Sequence, residues 1–137
     1  MPTNKKALPQ QLSLQLPTVA AGTGATIAIF NPSFSGEIVS VNVANQATLD
    51  PTATNYTTLA LIDNTTTTHT LASLNTNTGG TTLTTAVFSA MTVAATNTDK
   101  RFNAGDALIF TKVDTGTGQA MTTPTLWIEY IAGTYDS

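Results

Sequence analysis

The stretch KVDTGTGQA, residues 112–120, holds the residue types that come closest to chemistry in this chain. Asp114-Thr115-Gly116-Thr117 has the composition of an aspartic-protease motif. In such a site two carboxyls share one proton, so a chain of 137 residues would have to dimerise, each copy supplying one Asp114. Gly116 and Gly118 could instead cradle a phosphate, if a strand, a glycine-rich turn and a helix N-terminus came one after another. A third reading is a plain turn between two strands, because glycine takes positive φ without steric cost.

The neighbouring residues choose among these. Thr111-Lys112-Val113 precede the aspartate, and the segment after it is too short to form the flaps of a protease. Gln119-Ala120-Met121-Thr122-Thr123-Pro124 offers no helix to hold a phosphate. Strand patterns flank the glycines on both sides, so the sequence predicts a hairpin loop.

The other reactive side chains are scattered. His69 is the sole histidine, set in a strand pattern, and reads as a surface or packing residue. Asp63, Asp99, Asp106 and Asp114 each adjoin a turn, where aspartate caps backbone amides. Glu37 and Glu129 lie in strand patterns, placed to pair with lysine or face a partner. No histidine pair or carboxylate cluster has metal-ligand spacing, and no cofactor is expected. Asn55-Tyr56-Thr57 and Asn64-Thr65-Thr66 match the glycosylation triplet, as chance allows in so threonine-rich a chain. Tyr56, Trp127, Tyr130 and Tyr135 are the side chains able to stack on a sugar, with Trp127 in TLWIEY reading first as a packing residue. An enzyme is not expected.

Composition points to the elements that carry these residues. Only 9% of the chain is charged, against about 25% ordinarily, and threonine fills roughly a fifth of it. Threonine is stiff at χ1, poor in helices and good in strands, and its hydroxyl can face water. The composition therefore predicts a β-rich protein with polar, nearly uncharged faces. The net charge of −3, with Lys5-Lys6 as the one N-terminal basic pair, gives no footprint for nucleic acid. Cysteine is absent, which removes disulfides and thiolate chemistry. No apolar run approaches the roughly 18 residues that span a bilayer, and no signal-peptide pattern opens the chain; a soluble, non-secreted product is expected.

Residues 1–22 read as an extended N-terminal arm, punctuated by Pro2, Pro9 and Pro17. Its leucines, Leu8 and the alternating Leu12, Leu14 and Leu16, could lie on a partner as an added strand. Residues 23–137 form the second unit, a series of short strands: 25–30, 37–45 with Val39, Val41 and Val43 on one face, 56–63, 68–74, 86–95, 107–113 and 125–132. Seven or so strands at even spacing predict an all-β, antiparallel β-sandwich or jelly roll.

GEIVSVNVAN (36–45), NYTTLALID (55–63), FNAGDALIF (102–110), then TGTG and TLWIEYIAG (125–133), in that order and with so much threonine, resemble the head decoration, or cement, proteins of tailed bacteriophages. The resemblance covers most of residues 36–133. It implies a β-sandwich, often a homotrimer, that binds the major capsid protein on the outer surface of the expanded virion shell and bridges neighbouring capsomers, with an N-terminal arm reaching across subunits. Two other readings stay open: a tail-fibre or carbohydrate-binding module using Tyr56, Tyr130 or Trp127, and the dimeric protease of Asp114.

Overall fold

The computed structural model describes residues 8–65 and 68–133, all strand, turn and loop, with no helix among them. Lys5, Lys6, Thr66 and Tyr135 lie outside the described residues. Ten strands succeed one another: β1 (Gln10–Gln15), β2 (Ala25–Phe30), β3 (Gly36–Ala44), β4 (Thr57–Asp63), β5 (His69–Asn75), β6 (Ser89–Ala90), β7 (Thr92–Val93), β8 (Arg101–Phe102), β9 (Leu108–Asp114) and β10 (Thr125–Ala132). They form two antiparallel sheets. One runs β1-β10-β3-β6, with β8 also on β3; the other runs β2-β9-β4-β5-β7.

Period-two alternation explains how the sheets meet. Ile38, Val41, Val43, Leu126 and Ile128 turn inward from the first sheet, and Leu59, Leu61, Leu71, Leu108 and Phe110 from the second. Each of these is at most 2% exposed, and a fully buried side chain of this size contributes about 1.5–3 kcal/mol. Phe30, Phe34, Phe102 and Tyr130 add a ring cluster, with centroids 5.7–6.5 Å apart in edge and stacked geometries.

Several sequence expectations shift in the structure. Val39 does not share a face with Val41 and Val43. Register changes opposite Glu129 and Tyr130, Ile38 takes the inward position, and Val39 is left 42% exposed on the bulge. The extra residue lets both halves of β3 keep their apolar side chains inside. The predicted strand at 86–95 is reduced to the two-residue pieces β6 and β7, one on each sheet. Residues 115–124 are not a hairpin. They carry the chain from β9 in one sheet to β10 in the other, so the glycines serve a crossover between layers.

The alternating leucines do form an added strand, and the sheet they join is the chain's own. β1 pairs antiparallel with β10, Leu12 opposite Ile128 and Leu14 opposite Leu126. Both pack against the core, and Leu16 is buried within it, its N–H donating to Pro124 O at 2.7 Å. A bridge between Val19 and Met121 continues the attachment. Leu8 is the exception, 79% exposed.

Leu16→Ala is therefore expected to destabilise the sandwich by about 2–4 kcal/mol, the cost of a core leucine. Urea unfolding followed by Trp127 fluorescence measures it; a change under 0.5 kcal/mol, roughly a surface value, would mean that residues 8–16 are not part of the folded unit.

Candidate functional site

Lys112 is a fully buried cation, 2% exposed. The alternation of β9 puts it there: Leu108, Phe110 and Lys112 face inward while Val113 is 59% exposed. Its Nζ donates to Asp114 Oδ2 at 2.6 Å, to Ala20 O at 3.2 Å and to Thr23 O at 2.9 Å. Asp114 Oδ1 lies at 2.7 Å as well, so the three N–H donors have both carboxylate oxygens and two carbonyls as acceptors, which satisfies a buried ammonium.

Asp114 is equally committed. Residues two apart on a strand share a face, so its carboxylate lies beside Lys112, with 7% of the side chain exposed. Thr57 Oγ1 donates to Oδ1 at 2.7 Å, and the same hydroxyl accepts from Gln119 N at 2.9 Å. Burial alone would raise the carboxyl's pKa, but hydrogen bonds from Lys112 and Thr57, the Lys112 charge and the Gly22 amide together hold it below the ordinary carboxylate value. Such a group carries no proton to share near neutrality, so the arrangement is unlike an aspartic dyad.

The glycines of DTGTG serve the same contact. Gly118, at φ +60°, stands so close that a Cβ would sit 2.1 Å from Asp114 Cγ. Gly116, at φ +64°, leaves no room for a Cβ against Thr54 O, at 2.3 Å. From there Gln119 reaches on, its Nε2 donating to Asp50 O at 2.8 Å and its Oε1 accepting from Thr76 Oγ1 at 2.5 Å. Segments 20–24, 50–57, 76 and 114–119 are thus tied at one end of the sandwich.

A second polar group closes the opposite end, because β4 runs antiparallel to β9 from Thr57 beside Asp114 to Asp63 beside Leu108. Asp63 and Asp106 are both buried there. Asp63 Oδ1 accepts from Thr65 N at 3.2 Å and Asp106 Oδ2 from Asn103 N at 2.7 Å, the turn-capping roles that the sequence predicts. Burial, then the neighbouring Asp106 carboxyl, raises the Asp63 pKa. His69 Nε2 lies 3.2 Å from Arg101 O and 4.0 Å from Asp63. Among the described residues no three His, Cys, Asp or Glu side chains gather as a metal site. Glu37 pairs with Lys100 at 3.1 Å, as its strand position suggests, and Glu129 accepts from Ser40.

The aromatic candidates separate. Tyr130 is engaged in the ring cluster with Phe30, Phe34 and Phe102. Tyr56 is half-buried, its carbonyl accepting from Thr115 N. Trp127 sits between buried Leu126 and Ile128 and so points outward, half-buried, opposite Ser13 and Asn42. With Asn42 and Phe88 it lines an open hollow of about 340 Å³. Phe88, 51% exposed, comes after a turn closed by Val87 N→Thr84 O in which Ala86 has φ +59°. That is the glycine position of a type II turn, and an alanine there costs about 1–2 kcal/mol.

Sequence reasoning misses the Lys112–Asp114 pair, although its signal is present: a lysine and an aspartate two apart, in phase with Leu108 and Phe110. The leucines Leu12, Leu14 and Leu16 are occupied by the chain's own core, which leaves Leu8 as the exposed one of the four.

Asp114→Asn should lower stability at pH 7 by about 3–5 kcal/mol, because Lys112 is left as a buried charge without its counterion. The folded-state pKa of Asp114 is depressed, so its contribution is complete above the unfolded value of 3.8 and fades as pH falls through the folded value. The gap between variant and wild type should therefore narrow only below pH 3.8. Thermal unfolding of both proteins between acid and neutral pH checks this; equal stability at pH 7 would contradict it.

No protein-family model, no curated protein and no solved structure matches this chain.

Proposed function

We propose that this chain is a non-enzymatic structural protein of a tailed-phage virion, which binds the major capsid protein on the outer surface and bridges neighbouring capsomers, as a homotrimer. The observation that carries this reading is the open edge of the sandwich. β1 is the outermost strand of its sheet and pairs with β10 alone among the described strands, so its other edge offers unpaired backbone groups. An extended segment of a partner can add to such an edge by main-chain hydrogen bonds.

Two further features support it. The strand order β1-β10-β3-β6 against β2-β9-β4-β5, with β6 and β8 read as one interrupted strand, agrees with a jelly roll, an architecture used in viral shells and in lectins. The scarcity of charge, eight acidic and five basic residues in 137, lets sheet faces be covered with few ions to desolvate. Repeated over a symmetric shell, modest contacts gain avidity and tie capsomers together against internal DNA pressure.

Co-sedimentation with expanded capsids stripped of their outer proteins tests the reading. The wild-type chain should bind saturably, and light scattering should give the mass of a trimer. Gln15→Lys places a charge on the exposed β1 strand, where lysine discourages strand addition, and should weaken capsid binding with no change in unfolding midpoint. Absence of binding to any stripped shell, or full binding by the lysine variant, would overturn the proposal.

A further inference from the structure

The row Ser13–Trp127–Asn42–Ala90 crosses four strands of the first sheet on its outward face, and Phe88 stands two residues before Ala90 on the same side. We propose that the hollow between Trp127, Phe88 and Asn42 is a binding site for a neutral pyranose sugar. The proposal is independent of capsid binding.

The lining decides the ligand class. Two aromatic rings present apolar faces of negative quadrupole, suited to the C–H face of a pyranose. Among the described residues all ring–ring contacts fall within the Phe30–Phe34–Phe102–Tyr130 cluster, so neither Trp127 nor Phe88 is taken up by another ring. Asn42 brings a carbonyl acceptor and an NH₂ donor to the same hollow, the pair that adjacent hydroxyls require. A wholly apolar ligand would cover that amide without bonding it, at a cost. An anionic ligand would find no counterion, since the lining is uncharged and the flanking positions, Gln11, Ser13, Gln15, Thr125 and Glu129, carry no cation, while the Glu129 carboxylate is engaged by Ser40 Oγ. The volume, about 340 Å³, lies at the small end of ligand pockets and suits one ring or two.

Phe88 is also held in place at a cost. The turn before it puts alanine at a left-handed φ, and Thr48 Oγ1 braces that turn by accepting from Thr85 N at 3.2 Å. The turn ends in two large apolar side chains, Val87 and Phe88, each 51% exposed. The turn is anchored to the core through buried Leu83 and through Ala86 N→Asn45 O at 2.8 Å, and strain of this kind gathers at ligand clamps.

Titration of the ¹⁵N-labelled protein with glucose, N-acetylglucosamine, cellobiose and chitobiose, monitored by NMR, tests the proposal. Saturable shifts of the Trp127 indole N–H and the Asn42 side-chain amide are expected with at least one of these sugars and not with glucuronic acid. Phe88→Ala, at an exposed position, should keep the fold and weaken the binding roughly tenfold, the value of one aromatic contact. If none of the four sugars shifts these signals up to its solubility limit, the proposal fails. It fails equally if the Trp127 signal moves with protein concentration alone, because the hollow is then a contact between copies of the chain.

Discussion

One buried ammonium organises one end of this molecule. Lys112 occupies an inward position of β9 where the pattern calls for another Leu108 or Phe110, and a charge there is tolerated only if every proton finds an acceptor. Asp114 presents both carboxylate oxygens, and the carbonyls of Ala20 and Thr23 supply the other acceptors. The carbonyls bind the segment that leads out of β1, so the ion pair also fixes where the N-terminal strand joins the sandwich. Gly118 and Gly116 are then required, because side chains there would collide with Asp114 and with the Thr54 carbonyl. The motif that looks like a catalytic aspartate is a structural counterion with its clearance.

The two ends of the sandwich respond to pH in opposite senses. At the Asp114 end the carboxylate is favoured, so its stabilisation is present above the ordinary carboxyl pKa and lost in acid. At the Asp63 end the protonated form is favoured by burial and by the Asp106 carboxyl, so ionisation costs stability as pH rises through the raised value. Between them runs an apolar core of aliphatic, methionine and aromatic side chains from both sheets and the loops that join them. The buried polar groups thus sit at the rims, where loops must be fastened, and the outward face of the first sheet carries few charges, among them Glu37 and Glu129.

Much of the architecture is legible in local pattern. ATIAIF and TLWIEYIA match β2 and β10 residue for residue, since alternation and turn residues bound both. What pattern alone does not carry is pairing. Leu12, Leu14 and Leu16 announce an added strand without naming the sheet it joins, and the structure gives them the chain's own β10. The bulge that exposes Val39 depends on the register of β10, which no property of EIVSVNVAN contains. DTGTG reads as a loop and is one, yet a hairpin and a crossover between sheets use the same glycines. Lys112 is the plainest miss: hydrophobic patterning assigns a lysine to the surface, and only its phase with Phe110 says otherwise.

With Asp114 held as a counterion, the two proposed roles fall to the surfaces: the open β1 edge for the proposed shell partner and the Trp127 face for the proposed neutral ligand. That reading of Asp114 rests on its carboxyl staying ionised near neutrality beside Lys112 and Thr57. The direct measurement is a pH titration of the Asp114 side-chain carboxyl carbon by ¹³C NMR in the native protein. The midpoint should fall below the ordinary carboxyl value of 3.8. A midpoint raised toward neutrality would reveal a proton-sharing carboxyl, refute the permanent ion pair with Lys112 and return the DTGT motif to the candidates for catalysis.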